Sequence, residues 1–241
     1  MVASPLFRDS LSRLRSGIYD KEAMIDLQPT DALLVIDMQP DFLPGGPLAV
    51  AGGDQIIPGL NALAATFDHV ILTQDWHPAR HISFASTHGR QPFPDGIQAT
   101  IEAPYGTQHL WPDHCVQGTP GADLHPDLHI PHAELILRKG FRKDIDSYSA
   151  FTENDGATPT GLAGYLRERN LTRLFFTGLA YDFCVGFSAI AAARLGFETI
   201  VLEDLTRAVG LPGTAQRTNQ HFAETGVRRM QAAISQHRGH N

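Results

Sequence analysis

The stretch RLFFTGLAYDFCVGFSAIAAARL, residues 173–195, decides the fold, because a strand, a turn and a helix follow one another in it. The apolar run over residues 173–177 predicts a buried strand that ends at Gly178, and residues 185–195 predict the helix. Cys184 stands where that helix begins, near the positive end of its dipole, which favours a thiolate of lowered pKa. The turn also exposes backbone N–H groups suited to an oxyanion. A nucleophilic cysteine is therefore the first functional prediction.

The same alternation of apolar runs and helical segments continues along the chain. Further strands are predicted over residues 32–36, 69–73, 135–138 and 199–202, further helices over 56–67, 160–170 and 214–224, and a last edge strand over 227–230. Continuous apolar runs are typical of strands covered on both faces, as in parallel sheets. The pattern predicts an α/β fold: a three-layer, doubly wound sandwich around a mostly parallel sheet.

Composition excludes several classes of function. The chain has 241 residues, of which 42% are apolar and 19% charged, as in ordinary globular proteins. A net charge of −7 without a long basic run argues against nucleic-acid binding. No apolar run approaches the roughly 18 residues that span a bilayer, so no membrane partner is expected. Two cysteines and no secretory signal favour a cytoplasmic location.

Two segments are predicted along the chain: an N-terminal extension, residues 1–30, and one domain, residues 31–241. The extension is expected to be helical, because four of its apolar residues fall at helical spacing: Phe7, Leu11, Leu14 and Ile18. This narrow stripe suits docking on the domain or on a second subunit, so a homo-oligomer is one expectation.

A long insert, residues 76–132, lacks clear periodicity and is rich in histidine, proline and glycine. Long irregular inserts within a compact domain are usually functional. Asp75 and His77 alternate at its start, with His81 and His114 further on. Carboxylate and imidazole ligands suit zinc, iron or manganese, so one divalent metal ion is predicted here.

Reactive side chains follow the strands, and ligands of open α/β sheets bind beyond the strands' carboxyl ends. Asp37, Asp75 and Lys139 each come at the end of a predicted strand, and Cys184 follows another. Asp37, Lys139 and Cys184 together suit a nucleophilic triad, with a carboxylate that accepts the thiol proton and an ammonium that favours thiolate. Cys115 is the rival nucleophile, but neither strand nor helix flanks it, so it is expected to pack as a small apolar group.

Ordered motifs over about residues 32–230 resemble the nicotinamidases, which belong to the isochorismatase-like cysteine hydrolases. The matching segments are VIDMQPDF (35–42), PGGPLAV (44–50), TQDWHP (73–78), WPDHCVQGTPGA (111–122), KG (139–140), DSYSAF (146–151) and GLAYDFCV (178–185). The resemblance implies a six-stranded parallel sheet flanked by helices. It also implies a hydrolase of NAD salvage, which converts nicotinamide to nicotinate and ammonia and often accepts pyrazinamide.

The resemblance also implies roles for individual residues. Asp37, Lys139 and Cys184 fall on the family's catalytic triad; Asp75, His77 and His114 fall on its metal ligands; and His81 matches a further ligand of some members. Family members have a cis peptide bond before the position of Ala180, and the N–H groups of Ala180 and Cys184 would form the oxyanion hole. Candidate walls for the aromatic ring are Phe42, Leu48, Trp111, Tyr148 and Phe183, although core packing is favoured for Leu48. Phe183 replaces the tyrosine or histidine of other members and removes a polar group near the ring.

The predicted reaction is hydrolysis of a small aromatic amide through a Cys184 thioester. Three alternatives stay open: a related amidase that acts on a carbamoyl or ureido compound, a hydrolase in which the metal activates water and Cys184 is structural, and a binding scaffold without activity.

Overall fold

The computed structural model of the chain describes residues 19–20, 25–91 and 99–232. Its strands are β1 (Tyr19–Asp20), β2 (Asp31–Ile36), β3 (Val70–Asp75), β4 (Thr100–Ala103), β5 (Gly106–His109), β6 (Leu135–Lys139), β7 (Arg173–Leu179), β8 (Glu198–Arg207) and β9 (Arg228–Met230). Its α-helices are α1 (Ile57–Ala64), α2 (Leu162–Glu168), α3 (Cys184–Arg194) and α4 (Thr214–Thr225). Short 3₁₀ turns lie at Pro40–Phe42, Asp54–Ile56, Ala85–His88 and Pro120–Ala122.

One parallel sheet organises the described residues, with strand order β1-β9-β8-β7-β2-β3-β6. Six of these strands were predicted from the sequence, and the two-residue β1 adds a seventh at one edge. Apolar residues of β2 alternate between the faces: Leu33 and Val35 pack into one core, Leu34 and Ile36 into the other. Helix α1 covers the first core, and α2, α3 and α4 cover the second. The predicted three-layer α/β sandwich is confirmed.

Strand β7 continues past the residue at which the sequence analysis ended it. Gly178 does not end the strand but pairs with Ile36, at a φ of +93°. A Cβ atom there would lie 2.1 Å from the carbonyl oxygen of Ile36, so only glycine fits. The strand runs on to Leu179 and carries the turn before Cys184 to the carboxyl end of β2.

Within the insert, β4 and β5 form an antiparallel hairpin that the sequence analysis did not predict. Each strand has only four residues, and most of them are exposed or half-buried, so the apolar periodicity is weak. Isolated bridges between His77 and Val116 and between Phe84 and Trp111 join the first part of the insert to its later part.

The N-terminal extension is described only in part. Its residues Tyr19 and Asp20 form β1 and pair with β9 at the edge of the sheet. The predicted apolar stripe of Phe7, Leu11, Leu14 and Ile18 lies outside the described residues. Among the described residues, no helix has the length and apolar character needed to cross a membrane.

Candidate active site and metal centre

The carboxyl ends of four neighbouring strands bring the predicted catalytic residues together. Asp37 directly follows β2, Asp75 ends β3, Lys139 ends β6, and Cys184 begins α3 after the turn from β7. All four side chains are buried. Strand β2 lies between β7 and β3, at the point where the chain switches sides and where ligands of such sheets bind.

Lys139 is the centre of this cluster. Its Nζ atom lies 2.8 Å from Asp37 Oδ2, 3.3 Å from Cys184 Sγ and 3.1 Å from the Ser147 carbonyl oxygen, and it also donates to Asp75 Oδ1. Burial alone would lower the pKa of Lys139, but Asp37 and Asp75 raise that pKa well above its ordinary value. Lys139 is therefore a buried ammonium ion between two carboxylates and a thiol.

Asp37 has the geometry of a proton acceptor. Its Oδ1 atom accepts a 2.6 Å hydrogen bond from the Thr73 hydroxyl. Its Oδ2 atom forms an ion pair with Lys139 but has no partner with hydrogen-bond geometry among the described residues. Burial, aided by Asp75, raises the pKa of Asp37, and Lys139 opposes the shift. A carboxylate of raised pKa is a stronger base than an ordinary aspartate.

The predicted low pKa of Cys184 is wrong for the protein without substrate. Burial, together with Asp37 and Asp75, raises the pKa of the thiol well above its ordinary value, and Lys139 lowers it only in part. Cys184 is also the first residue of α3. The resting site thus holds a thiol that needs a base. Asp37 is close enough to serve, because ligand atoms of Cys184, Asp37 and Asp75 lie within 4.8 Å of one another.

The turn before Cys184 has the expected backbone form. The peptide bond between Leu179 and Ala180 is cis, as the resemblance implies. The N–H groups of Phe183 and Val185 both donate to the Ala180 carbonyl oxygen. Within the part of the chain that the structure describes, the N–H groups of Ala180 and Cys184 have no protein acceptor, which leaves both available to a substrate oxygen.

A second cluster, Asp75, His77 and His114, suits a divalent metal ion. The Nε2 atoms of His77 and His114 lie 3.4 and 3.7 Å from Asp75 Oδ2, and all three side chains are buried. The Nδ1 atom of His77 contacts the Gly140 carbonyl oxygen at 2.9 Å, and the Nδ1 atom of His114 contacts the Pro112 carbonyl oxygen at 2.7 Å. Such bonds fix the ring orientation of metal-binding histidines and leave Nε2 free for a metal.

Gly140, the residue after Lys139, is required at this position. Its φ is +63°, and a Cβ atom there would lie 2.5 Å from Cε1 of His77. A larger residue would displace the imidazole from Asp75.

His81 lies behind the metal cluster. Its ring stacks on His77 with 4.2 Å between centroids, and its nitrogens contact Ser83 Oγ at 2.7 Å and the Ile145 carbonyl oxygen at 3.1 Å. Burial, the largest influence, lowers the pKa of His81 to about 4. A potential ligand atom of His81 groups with His77 and Asp146 but not with Asp75 and His114. Its role as a ligand therefore stays a prediction.

A pocket opens from Cys184 towards the metal cluster and encloses about 420 Å³, its open mouth included. All five predicted wall residues line it: Phe42, Leu48, Trp111, Tyr148 and Phe183. Phe183 packs edge-on against Trp111 and Tyr148, with centroids 4.9 and 5.5 Å apart. Leu48 also packs against the core, as expected, so its side chain belongs both to the core and to the pocket wall. Most of the residues that line the pocket are apolar or aromatic, as in sites that bind small aromatic ligands.

Asp146 is a pocket residue that was not predicted from the sequence. Asp146 is buried in the pocket wall, where Oδ1 accepts from the Ser147 N–H at 2.8 Å and Oδ2 accepts from Gln108 Nε2 at 2.9 Å. It begins the quoted DSYSAF segment, so position in that motif is the signal that could have identified it. Gln108 comes from the unpredicted hairpin and carries no comparable signal.

Cys115 packs in the hydrophobic core, as predicted for a small apolar group beside the site. Its side chain is fully buried in the core, and burial raises the pKa of its thiol well above the ordinary value. The Cys115 N–H donates to Asp41 Oδ2 at 2.7 Å, so its backbone holds the loop that carries His114.

Comparisons with known proteins agree with this geometry. The family model of the isochorismatase domain matches residues 31–236. The nicotinamidase of Acinetobacter baylyi is 53% identical over 200 residues, which cover 83% of this chain and 91% of that protein. A nicotinamidase and pyrazinamidase of Acinetobacter baumannii superposes with a TM-score of 0.82 at 51% identity, covering 85% of this chain and 97% of that one. The pyrazinamidase of Pyrococcus horikoshii in complex with zinc superposes with a TM-score of 0.67 at 33% identity, covering 84% and 99%.

Proposed function

The chain belongs to the isochorismatase family, and from this membership, its relatives and its site we propose that it is a nicotinamidase, which hydrolyses nicotinamide to nicotinate and ammonia. One observation carries the proposal: Lys139 Nζ lies 2.8 Å from Asp37 Oδ2 and 3.3 Å from Cys184 Sγ, beside a pocket lined mainly by apolar and aromatic side chains. Such a site suits attack of a thiol on the amide of a small aromatic ring.

In the proposed reaction, the amide oxygen accepts hydrogen bonds from the N–H groups of Ala180 and Cys184. Asp37 takes the Cys184 proton while Sγ attacks the amide carbon, so the raised thiol pKa is overcome during the attack. The C–N bond then breaks, and Asp37 delivers the proton to the departing ammonia. Water attacks the thioester with Asp37 again as base, which releases nicotinate and restores the thiol.

Lys139 stabilises the site in this scheme without exchanging protons. Its raised pKa keeps it an ammonium ion, and its contact with Sγ stabilises negative charge on sulfur as the proton leaves. Its contacts with Asp37 and Asp75 keep both carboxylates in place. Loss of this one cation would therefore disturb the base, the nucleophile and the adjacent metal cluster together.

Asp75, His77 and His114 are the proposed holders of a divalent metal ion, either zinc, iron or manganese, because their ligand atoms are buried and converge within 4.8 Å. When bound, the ion would supply a Lewis acid for the pyridine nitrogen, either directly or through water, and would so orient the ring. Phe42, Leu48, Trp111, Tyr148 and Phe183 are the proposed walls, with His81 as a further candidate ligand. Pyrazinamide, with a ring of nearly the same size, is a proposed second substrate.

Two broader proposals concern the whole protein. Both cysteines are free and buried, which suits a cytoplasmic enzyme. Residues 1–30 are proposed as a separate extension that supports stability or subunit association, and residues 31–241 as the hydrolase domain.

Partition of the acyl group tests the proposed chemistry. Nicotinamide and methyl nicotinate would give the same thioester, so added hydroxylamine should yield the same ratio of hydroxamate to nicotinate from both substrates. A ratio that depends on the leaving group would favour direct attack by metal-activated water. Ammonia release from a ureido compound but not from nicotinamide would favour the related amidase, and release from neither would leave a binding scaffold.

A further inference from the structure

The side chain of Gln39 is fully buried and forms three short hydrogen bonds near the active site. Its Oε1 atom accepts from the Asp75 N–H at 2.8 Å, and its Nε2 atom donates at 2.8 Å to the carbonyl oxygens of Asp75 and Ala122. We propose that Gln39 is a positioning residue, which fixes the main chain of Asp75 and thereby the direction of its carboxylate.

The sheet leaves Asp75 without a strand partner on the side of Gln39. The paired register between β2 and β3 ends at Val35 and Leu72, and Asp37 turns away from the sheet with a φ of +49°. On its other side, Asp75 pairs with Lys139 of β6. The Gln39 amide takes the place of the missing peptide group, because it offers Asp75 both an acceptor and a donor.

The direction of the Asp75 carboxylate matters because its two oxygens serve different groups. Oδ1 accepts from Lys139 in the catalytic cluster, whereas Oδ2 lies 3.4 Å from His77 Nε2 and 3.7 Å from His114 Nε2. A small rotation of the Asp75 peptide would turn both oxygens away from their partners. Gln39 therefore acts on the metal cluster through Asp75, a role that rests on the proposed function.

Gln74 offers a matched control. It is also a buried glutamine, and its Nε2 atom also donates to the Ala122 carbonyl oxygen, at 3.0 Å. Its side chain has no hydrogen bond to the main chain of Asp75 among the described residues. The same substitution at Gln39 and at Gln74 removes a hydrogen bond to Ala122 in both cases, but only the change at Gln39 also removes the hydrogen bonds to Asp75.

The test compares Gln39→Met with Gln74→Met by competition for zinc against a chromogenic chelator, with the melting temperature and the visible spectrum of the cobalt-loaded proteins measured alongside. Partners of metal ligands typically contribute about 10–100-fold to affinity, so Gln39→Met should weaken zinc binding by that factor. It should also alter the cobalt spectrum, because the Asp75 ligand is displaced. Gln74→Met should stay within about threefold of wild type and keep the spectrum, since Asp75 retains its support.

Gln39→Glu is the second variant, in case Gln39→Met does not fold. It keeps the acceptor for the Asp75 N–H but loses the donor, while its charge alone would strengthen cation binding. Weaker zinc binding in this variant would support positioning, and stronger or unchanged binding would overturn it. Equal effects of Gln39→Met and Gln74→Met would also overturn it.

His77→Ala separates this inference from the proposed metal site. If His77→Ala loses zinc while Gln39→Met keeps full zinc affinity, the proposed role of Gln39 is overturned and the metal-ligand assignment stands. Full zinc affinity in His77→Ala overturns the ligand assignment and the inference that rests on it.

Discussion

Replacement of Lys139 by methionine should destabilise the protein strongly and in a pH-dependent way. Methionine has nearly the same length but leaves Asp37 and Asp75 buried and close together without their shared cation. Removal of one partner of a buried ion pair typically costs about 3–5 kcal/mol of unfolding free energy. For a domain of this size, that loss corresponds to a fall in melting temperature of roughly 6–20 °C.

The pH dependence follows from proton binding by Asp37. In the variant, burial and repulsion from Asp75 raise the folded-state pKa of Asp37 above the unfolded value of about 4 without opposition from Lys139, so the folded state retains a proton that the unfolded chain releases. A raised folded-state pKa gives stability that is present at low pH and lost as pH rises. The deficit relative to wild type should therefore shrink by up to ~1.4 kcal/mol for each unit by which pH is lowered towards about 5.

Urea denaturation at about pH 8 and about pH 5.5 measures both effects. Lys143→Met is the matched control, because Lys143 is exposed near the same strand end, and it should change the unfolding free energy by less than about 0.5 kcal/mol. A Lys139→Met protein within about 1 kcal/mol of wild type at pH 8, or a deficit that grows as pH falls, would refute the reasoning.

Three further predictions concern the base, the thiol and the extension. Asp37→Asn should lower kcat for ammonia release by about 10²–10⁴-fold at unchanged metal content, because the thiol loses its base; a kcat near the wild-type value would contradict this. Alkylation of Cys184, measured by peptide mapping, should accelerate as pH rises, because burial keeps its thiol protonated; a rate independent of pH would count against a raised pKa. Cys184 should also be alkylated before Cys115, because Cys115 is fully buried. Deletion of residues 1–28 should lower the melting temperature, since β1 no longer pairs with β9, while turnover per folded molecule stays near wild type; a soluble, metal-loaded truncation without turnover would show that the extension completes the site.

The central sheet was predictable because its signal is local. Continuous apolar runs identify β2, β3 and β6, and a charged residue of the site follows each run within three residues. The hairpin of β4 and β5 was missed because its short strands are mostly exposed or half-buried and carry no apolar periodicity. The end of β7 was also misplaced, since glycine usually interrupts a strand, whereas Gly178 is needed there for close approach to Ile36.

The electrostatics of the site could not be derived from the sequence. The position of Cys184 at a helix start favours a low pKa, but its burial and the closeness of Asp75 depend on how distant strands meet. Motif position could have identified Asp146, but the hydrogen bonds of Gln39 to Asp75 and of Asp146 to Gln108 could not be predicted, because these partners are far away in the sequence. Motif order predicts which residues gather, and the structure gives the contacts that set their pKa values and directions.

The rate of ammonia release from nicotinamide by metal-loaded Cys184→Ala tests the central claim most directly, with Cys115→Ala as the matched control at the other buried cysteine. The proposed thioester mechanism predicts that kcat falls by several orders of magnitude in Cys184→Ala at unchanged metal content, because no other group replaces the nucleophile. Cys115→Ala should keep most of the wild-type turnover. A metal-loaded Cys184→Ala protein that stays within about tenfold of the wild-type rate would contradict the account and assign the attack to water.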